Sequence, residues 1–194
     1  LSRNAFKKFI HVNKDIFILI LCLIFTLSFF TTQSANTSDT ILAVNTLLFQ
    51  FFYFFSYFVD GFAYAAEALA GRYIGAGNRF MLSKVIRRLF TWGGAIAMIF
   101  SFIFWVGGDW ILRLLTNDAA TIQAADPFMF WVVLIPVITF AAFIWDGIYV
   151  GATASKAMRN SMVIITTIIF LPAYYLLEPC KGNNGLWLAM MLFM

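Results

Sequence analysis

The sequence predicts an all-α integral membrane protein, built as a bundle of six transmembrane helices. Of its 194 residues, 62% are hydrophobic and only 11% are charged, and the mean hydropathy is +0.87. A typical soluble domain carries about 25% charged residues, so this chain lacks the polar side chains to cover a water-soluble globule. Several apolar runs also exceed the ~20 residues that cross a hydrocarbon core. Together these observations indicate a polytopic membrane protein.

The apolar runs divide the chain into six spans, which we treat as a single transmembrane lobe. They cover residues 15–33, 40–71, 89–108, 127–151, 161–178 and 185–194. At 1.5 Å per residue the last span reaches only about 15 Å, half the thickness of the core. A helix ending there would leave unpaired carbonyls in lipid, and the chain begins at Leu1 rather than Met. We therefore expect a fragment, cut within its sixth helix and also at its start.

The connections between spans alternate in charge. One side carries eleven basic residues: Arg3, Lys7, Lys8, Lys14, Arg72, Arg79, Lys84, Arg87, Arg88, Lys156 and Arg159. The other side carries only Arg113 and Lys181. By the positive-inside rule the N-terminus and the loops 72–88 and 152–160 are cytoplasmic. This predicts a multi-pass protein of the cell (inner) membrane. Two connections are predicted turns, the glycine-rich GRYIGAGN and the outer Asn183–Gly185 run.

The second span carries a polar stripe. At 100° per residue its polar, tyrosine and glycine positions project within about 60° of one line, and the opposite side is apolar. The stripe consists of Thr46, Gln50, Tyr53, Tyr57, Asp60, Tyr64, Glu67 and Gly71. Such a stripe favours a face turned toward other helices or water rather than lipid.

Asp60 lies near mid-depth, 12 residues or roughly 18 Å from Arg72. Intramembrane acids are functional candidates by default, and the alternative is a structural carboxylate bonded to a neighbouring Tyr, Asn or amide. Glu67 lies nearer Arg72, so either a surface salt bridge or a role in transport fits it. Reversible protonation or exchange with a cation suits Asp60 best, with Gln50, Tyr53, Tyr57 and Tyr64 as residues that line the same face.

The fourth span carries the second candidate acid. Asp146 precedes a glycine in FIWDGIYVGA, as Asp60 precedes Gly61. Upstream, Pro136 removes a backbone donor and frees a carbonyl, so a kink is expected. Because Asp146 is about ten residues from Lys156, an interfacial capping role stays open beside a functional one.

Other kinds of site have little support. Cys22 and Cys180 lack metal-site spacing, and His11, the only histidine, offers no second ligand. No nucleophile–base constellation is present, so an enzyme is not expected, and neither is a cofactor. The charge of +4 lies at the span ends rather than in one basic patch, so we expect no nucleic-acid partner.

Three segments resemble the C-terminal half of a DinF-type member of the multidrug and toxic compound extrusion (MATE) family. They are VDGFAYAAEALAGRYIGAGN with its basic continuation, WDGIYVGATASKAMRNSM, and the closing GNNGLWLAMMLF. The resemblance implies one lobe of a twelve-helix MATE-type transporter, whose two six-helix lobes enclose a central cavity. It also implies the lipid bilayer, an N-terminal six-helix lobe and small organic substrates as partners.

The resemblance implies antiport-driven efflux of organic, often cationic and amphipathic drugs or toxic compounds in exchange for protons or sodium. In NorM-type relatives the C-terminal half carries acids on its first and fourth helices. Here Asp146 lies on the matching fourth span, but the first span has only Asp15 at its end. One acid of a NorM-type sodium site is therefore missing, so protons are favoured over sodium as the coupling ion. The alternatives are a lipid-linked saccharide flippase of the same superfamily and a non-transporting membrane subunit. Cations confined to span ends argue against the phosphate-bearing cargo of a flippase.

Overall fold

The computed structural model describes the backbone of residues 3–194 and the side chains of residues 13–194, and helices account for nearly all of this part. The helices are α1 (Arg3–Thr37), α2 (Asp39–Gly75), α3 (Arg79–Leu115), α4 (Ala119–Ala125), α5 (Met129–Gly151), α6 (Ser155–Ile164), α7 (Leu171–Lys181) and α8 (Asn183–Phe193). A 3-10 turn, Asp126–Phe128, joins α4 to α5, and a π-helical segment, Ile165–Phe170, joins α6 to α7. The side chains of Arg3, Lys7, Lys8 and His11, on which the sequence analysis drew, lie outside the described residues.

Five helical stretches are long and apolar enough to cross a membrane, which confirms the all-α membrane class. They are Asn13–Thr37, Asp39–Gly75, Arg79–Leu115, Ala119–Gly151 and Ser155–Lys181. The predicted sixth span corresponds to α8, a helix of 11 residues. The single-lobe organisation stays a prediction.

The helices extend beyond the apolar runs that predicted them. The predicted loop 72–88 is wrong in extent, because α2 continues to Gly75 and α3 begins at Arg79. Asn78 caps α3 by accepting a hydrogen bond from the Met81 amide at 3.0 Å, and Gly77 has the positive φ of 66° that a tight turn favours. Most of the basic residues assigned to this loop therefore lie on the first turns of α3, since an amphipathic helix continues where hydrophobicity ends.

The core lies around α2, which packs most extensively against α5 and then against α3. Leu48, Phe55 and Val59 on its inner face are fully buried. Phe51 meets Phe104 of α3 edge to face, with ring centroids 5.1 Å apart, a favoured geometry for aromatic pairs. This packing settles which side of α2 faces the bundle and which side is left uncovered.

A buried amide joins α1, α2 and α8 at the end of the bundle opposite the α2–α3 turn. Asn45 donates to Ser34 Oγ at 2.7 Å and to Asn183 Oδ1 at 2.8 Å. Its own oxygen accepts from the Trp187 indole N–H at 2.8 Å and from Asn183 at 3.1 Å. Residues 183–185 were predicted to form a turn, which is wrong. They begin α8, and the turn falls on Gly182 at φ 55°.

Replacing Asn45 with alanine is expected to lower the free energy of unfolding by about 2 kcal/mol, because Ser34, Asn183 and Trp187 would keep buried polar atoms without their partner. Thr46→Ala is the matched control, since the exposed Thr46 hydroxyl donates only to the Leu42 carbonyl of its own helix. Unfolding in mixed detergent–SDS micelles measures both variants. Equal effects at the two positions would contradict a structural role for the Asn45 network.

The basic segments meet at one end of the bundle, as the alternation of charge predicted. A methyl group built on Gly71 would lie 3.3 Å from the Gly151 carbonyl oxygen, so the C-terminal ends of α2 and α5 are adjacent. At the start of α6, Arg159 forms an ion pair with Asp15 of α1, and Asp15 is only 3% exposed. We call the end that holds residues 72–88 and 152–160 the basic end.

Two prolines lie within the membrane helices. Helix α5 continues without interruption through Pro136, and the Ser101 hydroxyl of α3 donates to the Val133 carbonyl at 2.6 Å, in the turn preceding this proline. The kink expected at Pro136 stays a prediction. In the fifth stretch the π-helical turn immediately precedes Pro172, and the buried Thr166 hydroxyl in it has no partner among the described residues. Hydroxyl donors and locally widened turns are known ways for membrane helices to accommodate proline.

Candidate functional site: the acidic crossing of α2 and α5

The site is built on a close backbone contact between α2 and α5. A methyl group built on Gly147 would lie 2.1 Å from the Ala63 carbonyl oxygen, and one on Gly151 would lie 2.3 Å from the Glu67 carbonyl oxygen. The two glycines are four residues apart and so share one face of α5, and Ala63 and Glu67 share the facing side of α2. Small residues at this spacing allow membrane helices to approach closely.

The close approach places one candidate acid of α5 beside the part of α2 that carries the other two. Asp60 lies three residues before Ala63 on α2, and Asp146 lies directly before Gly147 on α5. Because Gly147 packs on Ala63, Asp146 lies at the level of the α2 segment between Asp60 and Glu67. We call Asp60, Glu67 and Asp146 the acidic crossing.

Most of the polar stripe of α2 lies on the uncovered side of this helix, whereas Gly71 at its end lies against α5. Tyr57 is 76% exposed and Tyr64 is 70% exposed. Gln50, Tyr53 and Glu67 are also exposed, and Asp60 is half-buried at the border with the packed face. Within the described residues, the stripe is therefore not a hydrogen-bonded seam between helices of this chain.

Two structural alternatives for the acids are not observed. The described residues contain one ion pair, Asp15–Arg159, so Glu67 forms none with Arg72. Arg72 lies instead over the Tyr73 ring, 5.9 Å from its centroid. Asp146 does not cap α6 either, because the residue before that helix is Ala154 and provides no side-chain cap.

Asp60 makes no hydrogen bond to another side chain in the part of the chain that the structure describes. Asp60 lies beside the backbone contact of α2 with α5, whereas Asn45 lies within a network of polar side chains. The glycines that follow the two aspartates also differ in role. Gly147 contacts Ala63 directly, but nothing lies within 4 Å of a methyl group built on Gly61.

Two features of the site escaped the sequence reasoning. The first is the packing role of Gly147 and Gly151, for which the spacing of four residues is the available signal. The second is Tyr149, which is 40% exposed, three residues after Asp146, and on the same uncovered side of α5. Its ring lies 5.9 Å from that of Trp145, so aromatic side chains border the acidic crossing on α5 as well as on α2.

The MatE family model matches residues 16–176. The chain is 34% identical over 192 residues to the DNA damage-inducible protein F of Escherichia coli (strain K12), an alignment that covers 99% of this chain and 41% of that protein. The chain therefore spans about two fifths of the length of this curated relative. No solved structure shows a significant match.

The helical bundle and these matches define a multi-pass membrane protein of a transporter class. The chain belongs to the MatE family, the multidrug and toxic compound extrusion family that its motifs indicated. Proteins of this family are transporters rather than enzymes, which confirms the expectation that the chain is not an enzyme.

Proposed function

We propose that this chain is one lobe of a secondary active transporter that exports organic, cationic and amphipathic compounds in exchange for protons. The observation that carries the proposal is the acidic crossing, where three carboxylates lie along the contact of α2 and α5 beside exposed tyrosines. In this proposal the N-terminal six-helix lobe covers the uncovered side of α2 and encloses the cavity. The transporter lies in the cell membrane with its basic end toward the cytoplasm.

The chemistry of the acidic crossing supports cation exchange. Carboxylates that repel one another bind a proton or an organic cation more readily, because either one reduces the repulsion. Tyr57 and Tyr64 of α2 and Tyr149 of α5 provide ring faces for a flat cation, with cation–π contributions of roughly 0.5–2 kcal/mol each. A proton arriving at Asp60 or Asp146 removes the counter-charge of the bound cation, so proton entry favours its release.

Geometry supports protons over sodium as the coupling ion. A proton needs one carboxylate, whereas hard metal cations are held by several oxygen ligands at once. Among the described residues, no group of three His, Cys, Asp or Glu side chains lies close enough to hold one ion. The three acids therefore suit single protonation events better than a shared ion cage.

The position of the cations supports a cationic cargo over a phosphate-bearing one. Arg and Lys at the described positions lie near the ends of the spans, and none forms an ion pair with the acidic crossing. A lipid-linked saccharide flippase would need cations beside its cargo. The negative crossing would repel such a cargo instead.

Replacing Asp60 or Asp146 with asparagine in the full-length transporter is expected to reduce export at least about tenfold and to flatten its dependence on pH, because the exchangeable proton site is lost. Reconstituted vesicles with an imposed pH gradient and ethidium as the cationic probe measure both effects. Glu67→Gln is expected to have a smaller effect, since Glu67 is farther from mid-depth than Asp60.

Asp109→Asn is the matched control. Asp109 is an exposed acid near the C-terminal end of α3, the end that lies away from the basic end. Its replacement therefore removes the same charge as the other two variants, but outside the acidic crossing. Full export with unchanged pH dependence in both the Asp60 and Asp146 variants would refute the proposed role of the crossing. Loss of export in the Asp109 variant as well would indicate that net charge, and not the crossing, is responsible.

A further inference from the structure

The outward face of α3 changes from basic to apolar along the helix. Its first ten residues present four exposed cations, Arg79, Lys84, Arg87 and Arg88. No Asp or Glu occurs between Glu67 and Asp109. The N-terminal end of α3 is therefore a concentrated positive surface, and the surrounding sequence contains no acid that would neutralise it.

Packing of the opposite face holds these cations outward. Leu82, Ile86, Leu89 and Phe90 lie against a small cluster formed by Ala66, Ala70, Ile144 and Ile148 of α2 and α5. In the described part of the chain, none of the four cations forms an ion pair. The acidic crossing does not engage them, so the proposed transport mechanism leaves this surface without a role.

An apolar strip continues the positive surface along the same side of the helix. At 100° per residue, Lys84, Arg88, Ala95, Ile99 and Phe102 project within about 60° of one line. Ile99 is 56% exposed and Phe102 is 61% exposed. The small Ala95 is also exposed and lies between the cations and these larger side chains.

We propose that this face of α3 is a binding site for an anionic phospholipid. Lys84 and Arg88, with Arg87 beside them, hold the phosphate-containing headgroup by charge-assisted hydrogen bonds. One acyl chain lies along Ala95 and Ile99. From Arg88 to Ile99 the helix rises about 16 Å, close to the ~15 Å half-thickness of the hydrocarbon core that one acyl chain fills.

Charge complementarity favours a lipid over a soluble anion. Clusters of Lys and Arg beside a membrane span attract anionic headgroups, and a free phosphate would gain nothing from the apolar strip. Trp92 is 65% exposed and lies one turn beyond Arg88, where an amphipathic ring suits the boundary between headgroups and acyl chains.

Native mass spectrometry of the full-length transporter in detergent micelles tests the proposal. The micelles contain added phosphatidylglycerol or added phosphatidylcholine. We expect a preference for phosphatidylglycerol that Lys84→Gln/Arg88→Gln reduces roughly tenfold. Arg113→Gln/Lys181→Gln is the matched control, because it removes two exposed cations from the opposite end and is expected to change binding less than twofold.

Three results would overturn the site. They are equal binding of the two lipids, equal losses in the two double variants, and displacement of phosphatidylglycerol by an equal concentration of glycerol phosphate. The last would show that the cations bind phosphate without regard to acyl chains. Because the readout is lipid binding, failure here leaves the proposed export function untouched, and failure of the export experiment leaves this site untouched.

Discussion

Replacing Gly147 with alanine is expected to force α2 and α5 apart and to lower the free energy of unfolding by about 3 kcal/mol. The added methyl group would lie 2.1 Å from the Ala63 carbonyl oxygen and 2.8 Å from its carbonyl carbon. Both are backbone atoms of a helix, so no side-chain rotation can relieve the contact. Overpacking of a tight core costs about 1–3 kcal/mol, and a backbone contact belongs at the upper end of that range.

The same substitution tests the site as well as the fold, because the acidic crossing depends on this close approach. Gly151→Ala is expected to act similarly, since its methyl group would lie 2.3 Å from the Glu67 carbonyl oxygen. Gly61→Ala is the matched control on α2. It has open space around it and should gain up to about 1 kcal/mol from helix propensity.

Thermal unfolding in detergent and ethidium export by the full-length transporter measure the two consequences. Lower stability and lower export for Gly147→Ala, with neither for Gly61→Ala, is the expected result. A Gly147→Ala variant as stable as the parent would mean that α2 and α5 do not pack at the described separation.

Replacing Arg159 with glutamine is expected to cost about 3 kcal/mol or more, because it leaves the Asp15 carboxylate buried without its guanidinium. Asp15 is 3% exposed and Arg159 is 20% exposed, and the Ser155 hydroxyl lies 3.5 Å from the second oxygen of Asp15. The pair joins α1 to α6 at the basic end, so its loss is expected to loosen the contact between these helices.

A double-mutant cycle separates the ion pair from the packing around it. Arg159→Gln should cost more than Asp15→Asn, and the double variant should cost less than the sum of the two, because the second change removes the unpaired charge. Lys156→Gln removes an exposed cation from the same turn of α6 and should change stability by less than about 0.5 kcal/mol. Additive single effects would contradict a direct interaction between Asp15 and Arg159.

Hydrophobicity and charge were sufficient to predict the helical membrane class. The apolar content is too high for a water-soluble chain, so it indicates lipid as the solvent. The distribution of Lys and Arg identified the basic end, where the structure places the Gly71–Gly151 contact and the Asp15–Arg159 pair. Helix bounds were less predictable, as the loop 72–88 shows, because backbone hydrogen bonding does not stop where side chains become polar.

The candidate site could be predicted residue by residue, but its assembly could not. Period and composition singled out Asp60 and Asp146 separately, and these residues are 86 positions apart in the chain. No local pattern states that Ala63 and Gly147 are in contact. The Asn45 network escaped for the same reason, because a polar residue in an apolar run shows only that a partner is needed and not which helix provides it.

The sequence by itself determined that this protein is a bundle of apolar helices with one basic end, and that one side of α2 is polar. These properties follow from the free energy of transferring each side chain between water and lipid, which depends on the residue and its neighbours along the helix. Only the tertiary structure decided that most of the stripe is left uncovered, that Gly147 and Gly151 bring α5 onto α2, and that Asp146 lies beside the segment of α2 that carries Asp60 and Glu67. Those outcomes depend on steric fit between distant segments, which is a property of pairs of surfaces and not of either sequence segment alone.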